Sequence, residues 1–142
     1  MNFKEGDEVR ILFDIVSDGT FAGAKRGELI MPLGSIGFIK KIGIFLDDYV
    51  CDVHFLENGR IVGCRENELI PADKEWSPPV FQKKTAIASI TDIRKNGEVV
   101  IPGDTPGTVI TIDYHDDLGY IYEVEFANGV KTMMAEQQLK AA

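Results

Sequence analysis

The sequence predicts an all-β protein: two tandem copies of one small five-stranded barrel, joined by a proline-containing linker. Three observations predict it. Apolar residues recur with a period of two, as in half-buried strands. No window of about 11 residues carries a helical stripe. The chain also states one unit twice. Asp14-Ile15, Asp18-Gly19, Gly37, Val53-His54-Phe55, Asn58-Gly59, Glu66 and Leu69 are followed, in the same order, by Asp92-Ile93, Asn96-Gly97, Gly107, Val124-Glu125-Phe126, Asn128-Gly129, Glu136 and Leu139. Such a repeat is an internal control: what both copies keep is what the fold needs, and what one copy alone carries is a candidate for function.

In the first copy, residues 8–13 alternate, with Val9, Ile11 and Phe13 on one face. Ser17-Asp18-Gly19-Thr20 is a turn, because Asp-Gly tolerates positive φ. Residues 36–43 read as a strand with Ile36, Phe38, Lys40 and Ile42 on one side, while Gly37 on the other side admits a close backbone. Residues 49–55 alternate with Tyr49, Cys51, Val53 and Phe55 pointing one way. Glu57-Asn58-Gly59-Arg60 signals a hairpin, residues 60–64 return, and residues 68–70 close the unit before Pro71. The second copy follows the same plan, with strands at 86–93, 99–101, 108–114, 120–126 and 130–134. Five short strands, a glycine before the middle strand and a tight turn before the last predict an SH3-like barrel, whose closure removes exposed edges. The expected division is a barrel over 1–71, a linker over 72–85 stiffened by Pro78-Pro79, and a second, diverged barrel over 86–142. Trp76, large and apolar, is expected to pack on one of the barrels.

The chain of 142 residues carries a formal net charge of -8, and both halves are acidic. A phosphate backbone would be repelled, so no nucleic-acid partner is expected. Lys40-Lys41 and Lys83-Lys84 are too short to make a basic stripe. No apolar run approaches the ~18 residues of a membrane span. The N-terminus is charged and lacks an apolar signal core, which points to the cytoplasm with no membrane partner. Two cysteines, Cys51 and Cys64, make no disulfide framework, and reduced thiols are the default there.

Signals of catalysis are poor. No phosphate loop, nucleophile elbow, HExxH or CxxC is present, and no catalytic residue is assigned. His54 and Asp52 face opposite to Cys51 on one strand, which argues against a Cys-His-acid set. No metal ligand set and no resident cofactor are expected, because two thiols fall short of the four ligands a cluster usually needs. Cys51 aligns with Tyr122 and reads as a small buried hydrophobe. Cys64 aligns with Met134, and because Arg65 beside it can lower its pKa, it is the candidate for a transient thiol role.

Two asymmetries between the copies stand out. The first copy joins its central strands through Gly43-Ile44-Phe45-Leu46-Asp47-Asp48, the second through Tyr114-His115-Asp116-Asp117-Leu118-Gly119. Closure therefore does not require Ile44, Phe45 and Leu46. They read either as an anchor for a partner or as packing against the chain's own barrels. The second asymmetry is Gly63-Cys64-Arg65-Glu66-Asn67-Glu68 against Met133-Met134-Ala135-Glu136-Gln137-Gln138. Glu66 is shared and is expected to brace the tight turn. Arg65 is not shared, and either faces a partner or pairs with Glu66 or Glu68. The candidate protein-binding set is Ile44, Phe45, Leu46, Arg65 and Glu66.

Taken in order, Ser17-Asp18-Gly19-Thr20, Gly43-Ile44-Phe45-Leu46, Val53-His54-Phe55 and the run from Gly59 through Ile70 resemble the NifZ nitrogen-fixation family over about residues 5–71. The second half matches only through the internal repeat and lacks the Gly-Cys-Arg-Glu segment. The resemblance implies a non-catalytic assembly factor whose partner is the nitrogenase molybdenum–iron protein, bound while immature during formation of its P-cluster, an iron–sulfur site. The alternative from the residues themselves is an SH3-like binding module for another protein or an RNA client.

Overall fold

A computed structural model describes residues 2–142, and it is all-β apart from two short 3₁₀ turns. The chain divides into two compact units, one running to Pro78 and one from Pro79 to Ala142. In the first, β1 (Glu8–Ile11), β4 (Ile36–Phe45), β5 (Asp48–Phe55), β6 (Arg60–Arg65) and β7 (Leu69–Pro71) form an antiparallel sheet of order β6-β5-β4-β1-β7. A separate hairpin pairs β2 (Ile15–Val16) with β3 (Leu29–Met31). A 3₁₀ turn, Glu66–Glu68, links β6 to β7. The second unit repeats this with β8 (Ala86–Ser89), β11 (Pro106–His115), β12 (Gly119–Phe126), β13 (Lys131–Ala135) and β14 (Leu139–Ala141) in the order β13-β12-β11-β8-β14. Its separate hairpin is β9 (Ile93–Lys95) with β10 (Glu98–Ile101).

The expected closure into SH3-like barrels is not seen in the strand pairing. β6 and β7 are the two edges of an open sheet and do not pair with each other, nor do β13 and β14. The terminal strands β7 and β14, three residues each, reach only β1 and β8.

One inner face of each sheet carries the core. In the first unit Val9, Ile11, Ile39, Cys51, Val53, Phe55 and Val62 pack with Ile30 and Met31 of the small hairpin. A β-bulge decides which residues of β4 join them. The register shifts between Ile39 and Lys41, so Lys40 is the extra residue. It brings Ile39 (opposite Val53) and Ile42 (opposite Cys51) onto the same face, where strict alternation separates them. The second unit has the same bulge between Val109 and Thr111.

Gly37 bears out the close approach expected of it, and Gly107 repeats it in the second unit. A Cβ on Gly37 would stand 2.7 Å from Val53 Cγ1 and 2.8 Å from the His54 carbonyl, and one on Gly107 2.9 Å from the Glu125 carbonyl.

The repeat extends to single hydrogen bonds. Asp14 Oδ1 accepts from the Leu33 amide, and Asp92 Oδ1 from the Gly103 amide, each at 2.7 Å. The Ile39 N–H donates to the Asp7 carbonyl as the Val109 N–H does to that of Thr85. The stretch read as a connection from sequence is ordered at both ends. Trp76 lies over the Arg10 guanidinium, 4.9 Å from its ring centroid, while Arg10 Nη1 donates to the Gly34 carbonyl. Phe81 is buried and meets Tyr122 edge to face at 5.5 Å.

Candidate functional site

The two central strands of the first unit run past the core as a projecting hairpin. Its ladder continues through Ile42–Cys51, Gly43–Val50 and Ile44–Tyr49 to Phe45–Asp48. The six-residue loop expected from sequence is therefore mostly strand. Only Leu46 and Asp47 form the turn, with φ of 51° and 66°. Positive φ at both central residues is the type I′ arrangement that matches strand twist, and Asn-Gly is its usual sequence. A leucine in this conformation is strained, and here it is the most prominent apolar side chain of the tip.

The tip is apolar on both faces. Ile44 and Tyr49 lie on the side that carries the core, beyond its end, and Phe45 lies on the opposite side. Ile44 is 71% exposed, Phe45 65% and Leu46 81%. None of them plugs the end of its own unit. Tyr49 completes the group and was missed from the sequence, where its alternation with Cys51 assigned it to the core. Its exposure reflects its partner across the rung: Ile44 leaves it open, whereas in the equally long hairpin of the second unit Tyr114 packs on the buried Tyr120, and single-strand periodicity carries no such cross-strand information.

A second apolar feature continues along the outer face. Phe38 pairs with His54, and His54 with Ile61, so the three form a row across β4, β5 and β6. Phe38 and Ile61 are exposed. The equivalent row of the second unit is Thr108, Glu125 and Lys131, with an ion pair at 3.4 Å between the last two. The fold thus accepts polar residues on this row, and the first unit carries apolar ones. The signal was available in the repeat alignment at His54 against Glu125, but it becomes a surface only when the ladder places Phe38 and Ile61 on either side.

Arg65 is exposed at the end of β6, opposite Val50. Its backbone N–H, not its guanidinium, is used locally, donating to Glu68 Oε1 at 2.8 Å. Ala135 N–H donates to Gln138 Oε1 in the same way at 2.9 Å. Glu68 is therefore the brace of the tight turn. Glu66, expected to brace that turn, instead ties down the N-terminal segment: its Oε1 accepts the Asn2 N–H at 2.8 Å. Glu136 repeats this, accepting from the Val80 N–H at 3.2 Å and from the Tyr122 hydroxyl at 2.6 Å. A carboxylate with the same structural task in both copies is explained by the fold.

Cys64 does not have the surroundings of an activated thiol. It is buried, 2% exposed, and burial, then Glu68, push its pKa up from 9.0 to about 12. The Arg65 side chain leaves β6 on the other face and does not offset this. Cys51, its direct partner across the strands, is also buried and also pushed up, by burial first. Among the described residues no group of three or more His, Cys, Asp or Glu side chains is placed to hold a metal ion. No helix among them is long and apolar enough to cross a membrane.

Comparison with known proteins converges on one family. The NifZ domain family matches residues 1–71. The Protein NifZ of Azotobacter vinelandii is 34% identical over 142 residues, covering 99% of this chain and 89% of the relative. The Protein NifZ of Klebsiella pneumoniae is 37% identical over 126 residues, covering 88% and 84%. A shorter relative, the Probable NifZ protein of Rhodobacter capsulatus, is 36% identical over 62 residues; these are 43% of this chain but 80% of the relative. On these matches, the chain belongs to the NifZ family of nitrogen-fixation proteins.

Proposed function

We propose that this protein is a non-catalytic assembly factor of the cytoplasm that holds the immature nitrogenase molybdenum–iron protein while its P-cluster forms. The observation that carries the reading is the two-sided apolar tip formed by Ile44, Phe45, Leu46 and Tyr49, exposed in the unit that the family domain covers. An incompletely assembled partner exposes apolar surface that its mature form buries, and a projecting hairpin reaches such a surface where a flat sheet does not. Each unit is read as an SH3-like module, a stiff frame that presents the hairpin. The Phe38–His54–Ile61 row extends the contact along the sheet, and Arg65 adds a cation at its edge. The exposed features peculiar to the first unit are apolar and cationic, which suits binding.

Affinity capture from cells that accumulate a molybdenum–iron protein lacking its P-cluster tests this. The immature component should copurify with the wild-type chain, and its recovery should drop with Phe45→Ser. Lack of association at every stage of maturation would refute the assignment.

A further inference from the structure

We infer that Cys51 and Cys64 form a latent cross-strand disulfide site, a dithiol that a disulfide-bearing oxidant closes once the N-terminal segment lifts from it. The inference does not depend on the assembly role. It begins with register: Cys51 and Cys64 are direct partners on β5 and β6, with both side chains on the core face. Directly opposed residues of antiparallel strands have Cα atoms about 4.5–5.5 Å apart, inside the range of about 4.4–6.8 Å that a disulfide spans. The register thus brings the two backbones within the reach of a bridge, and a small local adjustment of the strands closes the remaining gap between the Cβ atoms.

The second unit shows that the core does not require sulfhydryls here. The same rung holds Tyr122 opposite Met134, both buried. Two bulky residues fill that space in one copy and two thiols in the other. The pair therefore has an explanation to find beyond packing.

Access is controlled by the start of the unit. Phe3 packs against the cluster that contains both cysteines, and the Asn2 N–H on Glu66 pins the segment in place. The second unit fixes the corresponding position: Phe81 lies edge to face on Tyr122, the counterpart of Cys51. Phe3 is thus the cover over the dithiol. A segment whose described ties over the dithiol are the packing of Phe3 and the Asn2 N–H on Glu66 opens at lower cost than the sheet, whose strands are bonded along their length. While it is closed, the buried thiols stay protonated and unreactive.

The chemistry is thiol–disulfide exchange. With the cover raised, one cysteine loses its proton to solvent and its thiolate attacks a sulfur of the oxidant. A mixed disulfide forms and one thiolate leaves, taking up a proton. The second cysteine then attacks the protein sulfur of the mixed disulfide and releases the other half of the oxidant as a thiol. The pair gives up two electrons and two protons, and the oxidant is reduced to two thiols.

The test uses the full chain, purified anaerobically and treated with glutathione disulfide. The product should be lighter by two hydrogens, return to the starting mass with dithiothreitol, and yield a cross-linked peptide joining positions 51 and 64. Cys51→Ser and Cys64→Ser should each stop at a single glutathione adduct. Phe3→Ala should speed closure severalfold, with Phe3→Leu restoring the slow rate. If Phe3→Ala unfolds the unit, as amide exchange at Val53 would reveal, Asn2→Pro removes the N–H that Glu66 accepts while keeping Phe3 and the Glu66 charge near Cys51, and should also accelerate closure. A wild-type chain that collects glutathione without forming the cross-link, or that stays unreacted while the urea-unfolded chain reacts, overturns the site. A closure rate unchanged by loosening the segment overturns the gate.

Discussion

Ile44 and Tyr49 are direct partners across the β4–β5 hairpin, and both stand in solvent. On the corresponding rung of the second unit, Tyr114 and Tyr120 meet edge to face with ring centroids 5.1 Å apart, and Tyr120 is buried. The same position in the same ladder is closed by its own neighbours in one copy and left open in the other. The open rung marks the end of the hairpin where the fold stops using its apolar residues.

Phe45→Ser isolates that surplus. With 65% of Phe45 exposed, the substitution should change folding stability by no more than about 0.5 kcal/mol. Recovery of the immature partner should fall markedly. Urea melts alongside affinity capture check both halves; a large loss of stability would show that Phe45 packs at home.

Replacing Leu46-Asp47 by Asn-Gly separates turn strain from binding in the opposite sense. Non-glycine residues pay roughly 1–2 kcal/mol in the left-handed region, and Asn-Gly suits a type I′ turn. The double substitution should raise stability by about 1 kcal/mol while lowering capture. Thermal midpoints that fall would mean the leucine side chain has a local partner.

The outer row invites a swap of residues between the units. Phe38→Thr with Ile61→Lys installs the second unit's choices on the first unit's ladder. Since Thr108 and Lys131 occupy those places in a folded sheet, the variant should fold with an unchanged circular dichroism spectrum and lose affinity for the client. Full retention of capture would confine the contact to the hairpin tip.

Gly37→Ala should destabilise the first unit by about 1–3 kcal/mol, since the added methyl meets Val53 and the His54 carbonyl below 3 Å. Gly107→Ala should act similarly in the second unit. Denaturant midpoints of the two variants, compared with wild type, read the effect directly.

Alkaline pH should weaken the fold through its buried acids. Cys64 is held protonated up to about pH 12, and Tyr122 is raised as well, by burial first and then by its hydrogen bond to Glu136. The unfolded chain releases these protons at ordinary values, 9.0 for the thiol. The folded state therefore keeps protons that the unfolded state has lost. Stability is intact below about pH 9 and falls as pH rises toward about 12, by up to ~1.4 kcal/mol per pH unit for each group. Urea midpoints followed upward from neutral pH should show the decline, and Cys64→Ala should flatten part of it.

The strand content, the hairpins at Asn58-Gly59 and Asn128-Gly129 and the role of Gly37 were legible in the sequence because each depends on neighbours in the chain or on the repeat. What sequence left hidden was relational. The bulge at Lys40 changes which side Ile42 faces, and alternation alone reads straight through it. Glu66 looks like a turn brace until Asn2, far away in sequence, is seen to donate to it. Arg65 suggested an activated Cys64, but adjacent strand residues point to opposite faces, and burial decides the thiol's state. Ile44, Phe45 and Leu46 were found by subtracting one copy from the other; Tyr49 and the Phe38–Ile61 row needed the ladder.

An open sheet has a further consequence at β6, which pairs with β5 alone. Its far side pairs with no other strand, a place where a second extended chain can add. Arg65 stands exposed at one end of that strand, while Arg60 at the other turns inward, its Nη1 donating to the Ile30 carbonyl at 2.9 Å. Two copies meeting in parallel along this edge would bring their Arg65 charges together, which opposes filament growth there. Reversing that charge with Arg65→Glu, which touches no bond of the unit's interior, should leave the monomer folded, whereas Arg60→Ala should cost stability by releasing the Ile30 carbonyl.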